Sequence, residues 1–370
     1  MKFTCLKDIL KKSLNVCSTV SIKSDLEILN NVLLSVKGNK MIIKATDLEV
    51  GINYTIEGKG EKDGDVVASA KILIDLLNNI KEDKIHLEVK DNCLTLKNDN
   101  GEYNIQIANI EEYPDIPSIE SEQYISMSIM DLEICLNQVV KSVGDVLGKE
   151  ELNSIYIYNK EDNLIFVSTD TFRLSERKLN KNQFSVNINE EIGCIVPIKS
   201  VHSVLKVIGS LDDKESECKI YINSNQIYFD FSNVNLISKL IEGTYLKYSS
   251  IIPSSFDVKI NLKKDDLVSA VKTTSVFSTK IKDLFFEVNS QNNMLVLKGL
   301  DTSKGSGSNT LKCSVEGVDL KIAFNYPYLL DGLESIKDEE IFIGLNKDRP
   351  GLIKSLNKDD YIYIIAPLKL

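Results

Sequence analysis

Apolar and polar residues alternate along FVST (Phe166 to Thr169). The alternation stops at a Thr-Asp pair, with Arg173 and Leu174 three and four positions beyond Asp170. A similar break closes KMIIKA before Asp47 and MLVLKGL before Asp301, where Leu300 stands in place of the threonine. Period-two alternation predicts half-buried strands, and a small polar pair after it predicts a turn. Upstream of each turn, LKDILKKSLNV, MDLEICLNQVVKSV and KDDLVSAVKTTSVF place apolar residues at three- and four-residue steps, which predicts amphipathic helices. Downstream, ASAKILIDLLNNI (68–80), VPIKSVHSVLKVI (196–208) and FNYPYLLDGLESI (324–336) predict a second helix each. A charged turn and alternating strands follow every time, in KIHLEVKDNCLTLK, CKIYINSNQIYFDF and EIFIGLNKDRPGLIKSL.

The order helix, strands, aspartate turn, strands, helix, strands thus occurs three times. Copies of about 120 to 130 residues, far longer than solenoid repeats, fill the chain, so each is expected to be a domain with its own core. The seams are expected at EEYPDIPSIESEQ (111–123) and SSIIPSSFD (249–257), which gives domains 1–122, 123–253 and 254–370. Strands alternating with paired helices predict an α+β fold with antiparallel sheets.

Composition narrows the function. With 43% hydrophobic and 26% charged residues the chain is of the soluble globular kind, and no apolar run is long enough to span a bilayer. Lysines and an aspartate interrupt MKFTCLKDILKKSLNV, so no signal peptide is expected there. The seven cysteines are scattered singly and read as reduced thiols in a cytoplasm, most of them core residues. A net charge of −10 argues against coating nucleic acid by bulk attraction, although a locally basic surface remains compatible with it.

Catalytic chemistry is poorly represented. His86 lies on an alternating strand and His202 on a helix, and neither falls at metal-ligand spacing with the cysteines. GxSxG, Walker and HExxH motifs are absent, and KGSGSNT reads as a flexible hairpin. The paired acids Glu111–Glu112, Asp212–Asp213 and Asp359–Asp360 read as solvated turns. Asp47, Asp170 and Asp301 read as turn residues bonding nearby backbone N–H groups. No catalytic residue, metal or cofactor is expected.

Six segments in order carry a resemblance: MKFT, ATDLEVGI (45–52), STDTFRL (168–174), VPIK (196–199), SKLIEGTYLKYSSIIP (238–253) and YIYIIAPLKL (361–370). Together with the repeat they resemble the bacterial DNA polymerase III beta subunit family, the replicative sliding clamps, over essentially the whole chain. The resemblance implies three clamp domains forming half of a ring, closed head to tail with a second copy around double-stranded DNA. It implies no enzyme activity: the ring holds a polymerase on its template, contacting phosphates without reading sequence.

The resemblance also assigns sites. DNA contacts map to Lys23, Lys71, Lys199, Lys206 and Lys282, within a wider set of helix lysines (Lys7, Lys11, Lys12, Lys141 and Lys272). An apolar cleft that docks short peptides of the polymerase and the clamp loader maps to Leu152, Thr169, Thr171, Phe172, Arg173, Leu174, Leu246, Ser250 and Ile251. It continues through Ile364, Ala366, Pro367, Leu368 and Lys369, with Asn325 and Tyr328 on the rim. Aliphatic walls suit apolar anchors, with Arg173 and Lys369 available to polar groups. The dimer interface maps to Tyr103 and Ile105 on one side and Val276 and Phe277 on the other.

Several positions depart from the family pattern. Thr171 stands where the family commonly has glycine, Leu246 where it has proline, Ser250 and Lys369 where it has arginine, and Ala366 where it has a larger apolar residue. The loop KEELNS lacks the basic-proline character often found there. Two other readings compete with the clamp: a clamp-fold scaffold or divergent second copy without ring function, and a hydrolase using the repeated aspartates.

Overall fold

The computed structural model describes residues 1–21, 26–117, 123–187 and 192–369. Each repeat runs strand, helix, five strands, helix, three strands, apart from short 3-10 turns. The helices are α1 (Lys7–Ser21), α2 (Ala70–Asn79), α3 (Ile129–Val140), α4 (Ile198–Ser210), α5 (Lys264–Thr274) and α6 (Tyr326–Ser335). The sequence pattern predicts all six. It misses the short strand that leads into the first helix of each repeat, Lys2–Leu6, Tyr124–Ser128 and Val258–Lys263. Five or six residues alternate too briefly to stand out from the helix stripe that follows.

Local chemistry sets several boundaries. Ser69 and Asn325 cap α2 and α6 by accepting from the amides of Ile72 and Tyr328, and Pro327 sits in the first turn of α6, where its missing N–H is harmless. After Lys304, KGSGSNT lies in the strand Gly305–Lys312, the outer arm of a hairpin with Met294–Asp301. Gly305 there has φ +112, a backbone setting that favours glycine.

Two units are distinguished by their packing. One comprises Met1–Glu133, Gln183–Glu190 and Lys199–Leu240; the other comprises Ile134–Asn182, Glu191–Ile198 and Ile241–Leu370. Their limits cut through the middle repeat.

The first unit is built on one fourteen-stranded antiparallel sheet. Its central join pairs Val234–Lys239, the last strand of the second repeat, with Val50–Glu57 of the first, in the register Gly51 opposite Ile237. Helix α1 buries Leu10, Leu14, Val16, Cys17 and Val20, and α2 buries Ala70, Leu73 and Leu77.

The second unit holds a nine-stranded and a four-stranded sheet. Here Arg173–Asn180 of the second repeat pairs with Tyr361–Ile365 of the third, in the register Leu174 opposite Ile364. Its larger core joins Leu267 and Val271 of α5, Leu329 and Leu333 of α6, and Phe286 against Phe324, ring centroids 5.4 Å apart and edge to face. Gly332 lets α6 lie on the Tyr363 ring: a Cβ there would fall 2.4 Å from a ring carbon.

Five cysteines are buried and Cys93 and Cys313 are half-buried, all free. Burial pushes the Cys5, Cys194 and Cys218 thiols up to about 12. They are therefore protonated and unreactive at neutral pH. His86 Nδ1 pairs with Thr4 Oγ1 at 2.8 Å, and His202 is exposed on α4. No helix among the described residues is long and apolar enough to cross a membrane.

Candidate functional site

The turn at Asp170 is held by local hydrogen bonds. Asp170 Oδ1 accepts from the amides of Phe172 and Arg173, both at 2.9 Å. Thr169 Oγ1 donates to Arg173 O (2.6 Å) and accepts from the Thr171 amide (3.1 Å). The other repeats use their aspartates alike. Asp47 Oδ1 accepts from the amides of Glu49 and Val50, and Asp301 Oδ1 from that of Ser303. Each aspartate is therefore a turn residue, as its sequence context predicts. Tightening the turn throws Thr171 to φ +77 and Leu48 to φ +74. The left-handed region disfavours Cβ-bearing residues, and β-branched ones most of all, which is why glycine suits position 171.

The turn is tied to the tail and to α6. Ala366 N donates to Phe172 O (2.8 Å), and Leu368 N donates to Ala323 O (2.8 Å). Arg173 Nε bonds Asp170 Oδ2 at 2.9 Å, its Nη1 pairs with Asp331 of α6, and its guanidinium lies 4.2 Å from the Tyr328 ring centroid. Tyr363 backs the arrangement, its hydroxyl donating to Tyr328 O at 2.7 Å. Arg173 is therefore committed within the chain, contrary to the expectation that it stands available to polar groups. Lys369 is exposed.

The residues assigned to the cleft fall into two layers. Leu152, Thr169, Leu174 and Ile364 are each 2% exposed or less. Leu174 and Ile364 pack in a core cluster with Val167, Tyr245 and Tyr248. These residues form a floor. Around it stand Phe172 (61% exposed), Leu246 (38%) and Ile251 (42%), with Ala366, Pro367 and Leu368 half-buried and Ser250 and Thr171 exposed. Asn325 and Tyr328 occupy the start of α6. An apolar floor beneath isolated exposed apolar side chains fits an extended peptide with apolar anchors.

The segment carrying Leu246 and Ile251 is pinned by Tyr248. Burial and the adjacent Glu176 carboxylate push its phenol pKa well up. It therefore stays neutral and donates to Glu176, and its hydroxyl also lies 2.6 Å from that of Tyr158. Neither Asp331 nor this Tyr248–Glu176 pair was found by reading the sequence. Asp331 sits on the polar side of a helix stripe, and Tyr248 lies just before a seam, so no local periodicity marks either one.

The lysines divide by their partners. Lys199 Nζ lies 2.6 Å from Asp47 Oδ2 and 3.5 Å from Glu49 Oε2. Lys12 pairs with Asp212 at 2.8 Å, Lys141 and Lys272 both pair with Glu334, and Lys7 donates to Ile80 O. Among the described residues, Lys71 on α2, Lys206 on α4 and Lys282 are exposed and take part in no ion pair. Lys282 is not on a helix as expected. It occupies the turn before the strand Asp283–Asn289, at φ +61, and Lys141 lies just past the end of α3. Lys23 lies outside the described residues, as do residues 118–122 of the first seam.

The strand Glu102–Ala108 is an edge for only part of its length. Residues from Glu102 to Gln106 pair on one side with Cys93–Lys97, whereas Ile107 and Ala108 pair instead with Ala68 and Val67. Tyr103 is 37% exposed, but Ile105 is only 4% exposed and packs inward. Ile105 is therefore a core residue here rather than the outward apolar side chain expected of it. Val276 is 62% exposed, and Phe277 lies over Gly299 and Gly307, where a Cβ on Gly307 would fall 2.4 Å from its ring.

Comparison with known proteins accounts for the whole chain. Family models described as the N-terminal, central and C-terminal domains of the DNA polymerase III beta subunit match residues 1–117, 128–247 and 249–369. The beta sliding clamp of Staphylococcus epidermidis is 25% identical over 383 residues, spanning 100% of this chain and 99% of that one. Among solved structures, the DNA polymerase III subunit beta of Pseudomonas aeruginosa is similar with a TM-score of 0.93 at 22% identity, over 100% of both chains. The DNA polymerase sliding clamp of Bacillus subtilis is similar with a TM-score of 0.92 at 22% identity, over 100% of this chain and 99% of that one.

Proposed function

The chain belongs to the DNA polymerase III beta subunit family, and from that premise we propose that it is a sliding clamp without enzymatic activity. Two copies close head to tail into a ring around duplex DNA and tether the replicative polymerase in the cytoplasm. The domains are 1–122, 123–253 and 254–370. The observation that carries this reading is the constellation at Asp170. Turn, seam and tail converge there, leaving Phe172, Leu246 and Ile251 exposed around the buried Leu174–Ile364 floor. Short peptides of the polymerase and the clamp loader dock there.

Inside the ring, Lys71, Lys206 and Lys282 contact phosphates, as do Lys199 and Lys23. No base is read, so the ring slides, and linkage rather than tight affinity keeps it on DNA. Closure joins the half-open strand at Tyr103 on one copy to the Val276–Phe277 turn on the other. The reading gives no catalytic role to the three aspartates, each of which accepts backbone amides of its own turn.

The test uses nicked circular DNA with the clamp loader and the cognate polymerase. The protein is expected to remain on the circle, to leave when the DNA is linearised, and to lengthen polymerase products. Equal retention on linear DNA with free ends would refute the ring. A monomeric mass with no gain in processivity would favour the scaffold reading.

A further inference from the structure

We infer that the turn at Asp47 is a closed copy of the cleft at Asp170, stoppered by the chain's own Ile116. The inference rests on reading the Asp170 site as a peptide cleft. The two sites share the hydrogen bonds of the turn and of the strand beside it, although Val50 stands where the other has Arg173. Thr46 Oγ1 donates to Val50 O at 2.9 Å, as Thr169 Oγ1 does to Arg173 O. Lys239 N donates to Glu49 O at 3.0 Å, as Ala366 N does to Phe172 O. Gly51 faces Ile237 in register, as Leu174 faces Ile364.

The difference lies in the floor. Leu174 fills its own position and is 1% exposed, whereas Gly51 leaves that volume empty. Ile116 enters it: a Cβ on Gly51 would fall 2.6 Å from Ile116 Cγ2 and 3.0 Å from Ile237 Cγ2. The segment Asp115–Pro117 lines the recess together with Leu48, Val50 and Lys239. Buried Tyr113 anchors that segment through its hydroxyl, which donates to Lys44 O at 3.1 Å. At the second junction Tyr248 is anchored similarly, yet Ile251 beside it stands exposed, and Leu174 itself, rather than a neighbouring segment, fills the floor. The occupant the first recess takes is thus defined by the one it holds: a short extended peptide with an aliphatic residue followed by proline. Each chain consequently offers one open docking cleft although its repeats build two.

The probe is a labelled peptide of residues 112–118, EYPDIPS, added to the full-length chain and read by fluorescence anisotropy. A Leu246→Glu background disables the other cleft. Ile116→Gly is expected to bind one peptide per chain at least tenfold more tightly than the background chain, and adding Gly51→Leu is expected to abolish that binding. A folded Ile116→Gly chain that binds no better than the background overturns the inference. Should that variant fail to fold, Ile116→Cys provides the readout. Its alkylation is expected to be slow and to accelerate when excess peptide displaces the segment, and an unchanged rate overturns the inference equally. Failure of the Asp170 cleft itself would show separately, as loss of polymerase-peptide binding by the unaltered chain.

Discussion

Lys199 Nζ lies 2.6 Å from Asp47 Oδ2, so a lysine assigned to DNA is ion-paired with the carboxylate that shapes the turn of the preceding repeat. Burial works against its charge, but Asp47 and Glu49 outweigh that and raise its pKa. Part of its field is therefore neutralised before DNA arrives. In equilibrium binding to duplex across a salt series, Lys71→Ala and Lys206→Ala should each lower the slope of log K against log salt by about 1. Lys199→Ala should lower it by clearly less. If Lys199→Ala gave the largest change of the three, the partner-based ranking would be wrong.

Arg173 should matter to the site as a strut. Its removal strands Asp170 and Asp331 and uncovers the Tyr328 face. The arginine side chain is 11% exposed, so Arg173→Ala should lower stability by about 2–3 kcal/mol, read from urea unfolding. Arg173→Lys should recover less than half of the loss, because an ammonium cannot bond both carboxylates in one plane and stack as well. Full recovery by lysine would reduce the contact to a point charge.

Thr171 is the position where relief should be measurable. At φ +77 a β-branched residue is strained by about 1–2 kcal/mol, from which glycine's extra freedom in the unfolded chain subtracts part. Thr171→Gly is expected to raise stability by about 0.5–1 kcal/mol, seen as a higher thermal midpoint. A lower midpoint would mean that contacts of the threonine side chain outweigh the strain.

Glu334 links Lys141 and Lys272, at 3.1 and 3.4 Å, and the hydrogen bond from Lys141 leads in holding its carboxyl below the usual carboxylate range. A depressed folded pKa contributes stability that is complete above the unfolded value and is lost as pH falls through the folded one. The side chain is 45% exposed, so screening keeps the contribution near 0.5 kcal/mol. Glu334→Gln should show that deficit in urea midpoints at pH 7 and lose it near pH 3. A deficit independent of pH would assign the effect to packing.

What the sequence shows and hides follows from the range of the forces involved. The aspartate turns are legible at Asp47, Asp170 and Asp301 because the carboxylate bonds amides only two or three residues away. The helix stripes are legible for a similar reason. Strand alternation in EYNIQI puts Tyr103 and Ile105 on one face, but that face is covered only part way along, so one is exposed and the other buried. Arg173 reads as a free charge because its second partner lies on α6, far along the chain. Gly51 looks unremarkable beside Leu174 until the fold brings Ile116, from the segment after Tyr113, against it.

The pairing of Val50–Glu57 with Val234–Lys239 bears on how this protein can be cut. The stretch that recurs in sequence shares its sheet with strands of the neighbouring repeat. A fragment ending near residue 122 would leave Val50–Glu57 as a bare sheet edge, open to any strand that approached it. A chimera joined at the sequence seams would have to recreate that ladder between two foreign surfaces. Divisions that follow hydrogen bonds instead would divide the middle repeat, sending half of it to each neighbour.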